Sequence, residues 1–141
     1  LAGLDEVPRP AGMVEDPVVG PFPSVAEQVT VEQNEWYLDA VGEPLPLYRE
    51  HSLAQPAMLL KAVHRLLTRN VVLGPWIHTA SDCTFLGPAR LPALITSHGR
   101  VTAVGRRGAH DEVRFDALVL ADGEPVLHTR HTALYRLGTA A

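Results

Sequence analysis

One cysteine, Cys83, occurs in 141 residues, so the chain can form neither an intrachain disulfide nor a cysteine-based zinc site. A reducing cytoplasm is the simplest setting for such a chain. Basic charge is not in excess: 12 Lys and Arg stand against 16 Asp and Glu, a net charge of -4. A nucleic-acid binder needs a basic footprint to neutralise phosphates, so that class is excluded. No apolar run approaches the roughly 20 residues of a membrane helix, and no signal-peptide pattern opens the chain. There is no nucleophile elbow, no Gly-rich phosphate loop and no spaced set of metal ligands, so no metal or nucleotide cofactor is expected. Internal repeats and low-complexity tracts are also absent. The first residue is Leu1 rather than Met, and some native N-terminus is expected to be missing.

What is present is enough apolar material for one packed domain. Hydrophobic residues make up 46% of the chain and charged residues 20%. Residues 1–24 hold five prolines and three glycines, which predicts an extended arm or a loose lead-in. Its apolar members Val14, Val18, Val19 and Phe22 suit a partner surface, or belong to a floppy terminus. Residues 25–141 read as a single domain. A short strand is predicted over 28–31, then a helix over 31–41 with Thr30 as N-cap and Gly42 as its end. Trp36, Tyr37, Ala40 and Val41 share one face of it at helical spacing. Residues 42–55 read as a loop. Pro56 suits a first helical position and opens a second helix to Arg69, with Leu59, Ala62, Val63, Leu66 and Leu67 on its apolar face. Strands are predicted over 76–86, 93–104, 110–121 and 125–137, with breaks at Gly87-Pro88, Gly105–Gly108 and Asp122-Gly123. The layout is α+β, one long helix against an antiparallel sheet.

Helix followed by strand meander is the order of a hot-dog domain, and several segments resemble the MaoC-like acyl-thioester hydratase/dehydratase family. Residues 36–48 resemble its first signature: a short helix, Gly-Asp, a Pro, an aliphatic residue and a His. Ser52–Leu59 resembles the Ala-His-Gly-Met entrance to the central helix. Trp76–Pro88 and His128–Arg136 resemble the next strand and the terminal strand. The resemblance spans about residues 25–137 and implies a curved antiparallel sheet wrapped around a central helix.

The resemblance also implies a chemistry, the reversible hydration of a 2-enoyl thioester or dehydration of its 3-hydroxyacyl partner. That reaction needs a base for water, an acid for the α-carbon and donors for the thioester oxygen. In the family an Asp/His pair handles the protons, and a backbone N–H at the start of the central helix serves the oxygen. Here Glu43 stands for the Asp, Tyr48 for the His, and Gln55-Pro56 for His-Gly. Glu is one methylene longer, a phenol is a poor base near neutral pH, and proline has no N–H. In these departures the chain resembles the family's N-terminal-type halves and partner subunits, which lack the Asp/His pair.

Each candidate residue has a second reading. Glu43 is a catalytic carboxylate or a solvated loop residue; Tyr48 is a proton donor or a packing residue. His78 is a displaced base or a hydrogen-bonded structural histidine. His51, Gln55, Trp76 and Ser81 are placed as substrate-binding residues, with His51 equally readable as an exposed loop residue. His64 reads as a surface or edge residue. His128 and His131 are three apart on a strand and face opposite ways, which excludes a joint metal site on that strand. Cys83 is a thiol nucleophile or a small buried residue.

The expected function is therefore action on an acyl or polyketide thioester carried by coenzyme A or acyl carrier protein. The alternatives are a non-catalytic subunit that needs an Asp/His-bearing partner, or a tailoring enzyme (cyclase, isomerase or thioesterase) reusing the pocket. A homodimer or a heterodimer with another hot-dog chain is expected, because a lone sheet leaves an edge open. Val71-Val72-Leu73 reads as an exposed apolar strand contributing to it.

Overall fold

A computed structural model describes residues 12–139. Its elements in chain order are β1 (Gly20–Pro21), β2 (Val25–Val29), α1 (Val31–Val41), α2 (Leu47–Glu50), α3 (Pro56–Asn70), β3 (Ile77–Phe85), β4 (Ala93–Arg107), β5 (His110–Ala121) and β6 (Glu124–Arg136). No helix among the described residues is long and apolar enough to cross a membrane.

Local chemistry sets the helix ends. The Thr30 hydroxyl accepts from the Gln33 N–H at 3.1 Å, and the Gln33 side chain accepts from the Thr30 N–H at 2.8 Å. This capping box satisfies two donors that the first turn leaves free. Gly42 closes α1 in the left-handed region at φ 65°, where a Cβ would be strained. The inward face of α1 differs from the predicted one. Leu38 and Asn34 are buried, whereas Trp36 is 69% exposed and Ala40 and Val41 are exposed as well. A count of apolar residues misses this, because a polar residue takes the inner position and spends its amide on backbone groups of a distant loop. Tyr37 is half-buried under the Lys61 ammonium, 4.6 Å from the ring centre.

The strands form one antiparallel sheet in the order β1-β4-β5-β6-β3, with β2 also paired to β4. Alternation fixes the inner face: Ile95 and Val101 on β4, Val113, Phe115, Ala117 and Val119 on β5, and Leu127, Thr129, His131 and Ala133 on β6 are all buried. Helix α3 lies on this face, burying Leu59, Ala62, Val63, Leu66 and Leu67. Full burial of a Leu side chain contributes roughly 1.5–3 kcal/mol. The close approach depends on Gly99 of β4, where an added Cβ would lie 2.8 Å from Leu66 Cδ1.

Several boundaries shift from the sequence reading. β2 starts three residues earlier than the strand predicted over 28–31, and the 42–55 loop contains the single-turn α2. Gly105, Arg106 and Arg107 stay within β4, and the reversal falls at Gly108-Ala109. The Arg107 guanidinium donates to Glu112 Oε2 at 2.7 Å across the hairpin, which favours the longer pairing. Val71 is fully buried rather than exposed: Val72 N–H donates to the Val14 carbonyl, and Val14 N–H to that of Asn70. Phe22 likewise packs into the chain's own core, edge-on to Phe115 at 5.5 Å. Residues 1–11 of the arm lie outside the described residues.

Candidate functional site

The entrance to α3 is built by Asn34, Glu43 and Gln55. Asn34 Nδ2 donates to the Leu53 carbonyl at 2.7 Å, and its Oδ1 accepts from the Gln55 N–H at 3.2 Å. Gln55 is thereby fixed as the N-cap of α3. Its Oε1 accepts from the Ala57 N–H at 2.6 Å, and its carbonyl accepts from the Met58 N–H at 2.9 Å. Pro56 has no N–H. The donors of the first turn are thus removed or engaged within the chain, and none is left aimed at a ligand. Gln55 Nε2 donates to Glu43 Oε2 at 3.3 Å, while Glu43 Oε1 accepts from the Leu45 N–H at 3.1 Å. Both oxygens of that carboxylate are therefore engaged.

A second constellation lies on the other end of the sheet. A register shift between His78 and Ala80 inserts one residue into β3. The bulge changes the side-chain parity, so His78 and Ser81 face α3 together. Ser81 is directly opposite His131 of β6, and His78 is opposite Ala133. The Ser81 hydroxyl sits 2.5 Å from His78 Nε2 and 3.1 Å from His131 Nδ1. The His78 and His131 rings stack at 4.1 Å, and the His64 ring of α3 stands edge-on to both, at 5.0 and 5.1 Å. Trp76 closes one side against His64 and Phe115 another against His131. Burial, with the neighbouring His78 and His64, pushes His131 down to about 3; burial and His78 also lower His64. The His64 and His131 imidazoles are therefore neutral at physiological pH. This is the one three-residue group of His, Cys, Asp or Glu among the described residues with ligand atoms close enough to hold a metal ion.

Between these two places, α3 presents its opposite flank to β2 and β4. A groove of about 380 Å³ opens there, floored by Val29, Ala54, Met58, Leu59, Ala62 and Ile95. Lys61 and Arg65 line it with Glu27 and Glu32, and Arg65 is paired with Glu27.

The residues singled out in the sequence fall into two groups. Glu43 contacts Gln55 at the α3 entrance; Trp76, His78 and Ser81 meet around the imidazoles. Tyr48 is half-buried on α2 and His51 is exposed, and neither side chain has a hydrogen-bond partner among the described residues. His64 stands at the edge of the buried stripe, as read, but with its ring turned to the sheet. His128 and His131 do face opposite ways, yet His131 finds its histidine neighbours on β3 and α3 instead of on its own strand. Sequence reasoning did not place His131 in the site. The signal was available in β6, where Leu127, Thr129, His131 and Ala133 alternate on the buried face.

By sequence the chain matches no protein-family profile and no curated protein. Solved structures do match. The (R)-hydratase from A. caviae involved in PHA biosynthesis aligns with a TM-score of 0.69 at 12% identity, covering 82% of this chain and 95% of that one. A chain of the ChsH1-ChsH2 complex from Mycobacterium tuberculosis aligns with a TM-score of 0.70 at 14% identity, covering 84% and 98%. The MaoC-like dehydratase from Rhodospirillum rubrum gives 0.67 at 17% identity, covering 86% and 95%. An antiparallel sheet of this order with one long helix on its inner face is a hot-dog fold. Its backbone thus shares the fold of the (R)-hydratase, the ChsH chain and the MaoC-like dehydratase.

Proposed function

We propose that this chain is a thioester-binding hot-dog subunit of the hydratase/dehydratase type, which depends on a partner chain bearing the Asp/His pair for turnover. The observation that carries this reading is the closed first turn of α3. Pro56 offers no N–H, Gln55 caps Ala57, and Glu43 is tied to Gln55. The thioester oxygen has no donor there and water has no imidazole base. The apolar groove beside α3, with Lys61 and Arg65 at its rim, suits an acyl chain leading to an anionic carrier. Calorimetric titration with octanoyl-coenzyme A tests the binding half: saturable binding that Met58→Arg abolishes is expected. Absence of binding by the wild-type chain would overturn it.

Assembly follows from the sheet. Among the described residues β3 pairs with β6 alone, and at its two ends Ile77 and Phe85 are exposed, the latter 51%. A row of unpaired backbone donors and acceptors calls for a partner strand. Light scattering at micromolar protein is expected to give a dimer or a larger even assembly, and a monomer mass alone would contradict this. The ChsH1-ChsH2 complex, by its name an assembly of two such chains, supports a heteromeric version of the same pairing.

A further inference from the structure

The imidazole cluster has no part in the closed hydratase site and has an unmet need of its own. His64 Nε2 and His131 Nε2 are buried and have no hydrogen-bond partner among the described residues. His131 is 1% exposed and so has no contact with bulk solvent. A buried polar atom left unpaired costs about 1–3 kcal/mol, and two of them within one cluster is an expensive arrangement unless something else occupies it. The rings around them, Trp76, Phe115 and the other imidazoles, pack by their faces and edges, and none of them bonds either nitrogen.

From these contacts we propose that His64, His78 and His131 form a three-imidazole site for a zinc-class divalent cation. One nitrogen from each ring lies within 4.8 Å of the other two. Zinc–imidazole bonds of roughly 2.0–2.1 Å in a tetrahedron need nitrogens about 3.4 Å apart and the ion in the plane of each ring, so His78 has to swing out of its stack on His131 to coordinate. Three imidazoles leave one open position, and this donor set suits Zn²⁺, with Co²⁺ as a spectroscopic substitute. Ser81 supplies the outer support. With the His131 Nδ1–H donating to Ser81 Oγ, His131 Nε2 is left as a bare lone pair directed into the cluster. The Ser81 hydroxyl then donates to His78 Nε2, and the ion takes over that lone pair as the stacked His78 ring turns towards it.

The proposal departs from the expectation that no metal is needed. That expectation came from spacing along the chain, and these ligands are 14 and 53 residues apart. It is independent of the thioester reading and survives the failure of that reading.

The test uses the full chain without a histidine tag, dialysed against zinc and then against buffer. Elemental analysis is expected to find one zinc per chain. Cobalt is expected to give visible absorption of four-coordinate intensity. His64→Gln and His78→Ala, both at partly buried positions, are expected to lose stoichiometric zinc and the cobalt band while keeping the wild-type circular dichroism. Zinc is expected to raise the Tm of the wild type and of His128→Ala, which lies on the other face of β6, but not of those two variants. Ser81→Ala is expected to weaken affinity about 10- to 100-fold. A wild-type chain that retains less than about a tenth of an equivalent overturns the site. So does full zinc retention by His64→Gln and His78→Ala, which would place the ion elsewhere.

Discussion

Crotonyl-coenzyme A given to the purified chain alone is expected to be hydrated at least about 100-fold more slowly than a working enzyme turns over. Ordinary enzymes run near 10 turnovers per second, so the ceiling is roughly 0.1 per second. Two independent features set this limit. Loss of one oxyanion donor costs about 100- to 1,000-fold, and at the α3 entrance Pro56 removes one donor while Gln55 occupies the next. Loss of general-base assistance costs about 100- to 10,000-fold, and on the resemblance of residues 36–48 Tyr48 stands where the hydratases carry an imidazole. The losses need not multiply, because groups acting as a unit are non-additive, but either alone suffices. Tyr48→Phe is expected to change the residual rate little. Mixing with a hot-dog chain that carries the Asp/His pair is expected to restore turnover. Rapid loss of the enoyl absorbance with the isolated wild type would mean that Glu43 or a histidine performs the base role after all.

Asn34→Leu is expected to destabilise the chain by about 2–4 kcal/mol. The asparagine is buried and holds two backbone groups from one loop, the Leu53 carbonyl and the Gln55 N–H. Leucine has the same branched shape and heavy-atom count with somewhat greater bulk, so the site stays filled while both backbone groups lose their partners. Each unsatisfied group costs about 1–3 kcal/mol when water cannot replace the bond. Urea denaturation is the measurement: the midpoint should fall with an unchanged slope, the mark of altered stability without altered compactness. A shift under about 0.5 kcal/mol would show that solvent reaches these groups. The same substitution releases Gln55 from its anchor, so a loosened cap on Ala57 should appear as faster amide exchange at the start of α3.

Much of the fold was legible because local chemistry and tertiary packing agree. Thr30, Gly42 and Pro56 mark helix ends by capping rules that hold in isolated peptides, and α1 and α3 begin where these residues place them. β5 alternates cleanly, and the Asp122-Gly123 turn sits between β5 and β6 as read. What escaped was set by distant partners. Asn34 is inward because of a loop 19 residues away, and no periodicity of apolar residues reports that. Val71 is buried because it belongs to the core at the end of α3, where its backbone is bridged to Val14. The imidazole cluster depends on a bulge in β3 and on a strand 50 residues later, so Ser81 and His131 meet for reasons invisible to spacing. At the α3 entrance, the substitutions themselves could be read. That Gln55 spends its side chain on both Ala57 and Glu43 needed coordinates.

The placement of β3 also bears on how the chain is made. Among the described residues its only strand partner is β6, which ends at Arg136, so a ribosome must add about 50 residues after β3 before β3 can join the sheet. Until then a mostly polar strand of nine residues, with Ile77 and Phe85 at its ends, has two open edges, while α3 is already synthesised. The growing chain is thus most exposed to misassociation late in translation, and closure of β6 onto β3 completes the sheet and brings the three imidazoles together in a single event. A chain truncated before residue 128 would keep β4, β5, His64 and His78 but lack His131, which makes zinc binding by staged truncations a direct clock for the last step of folding.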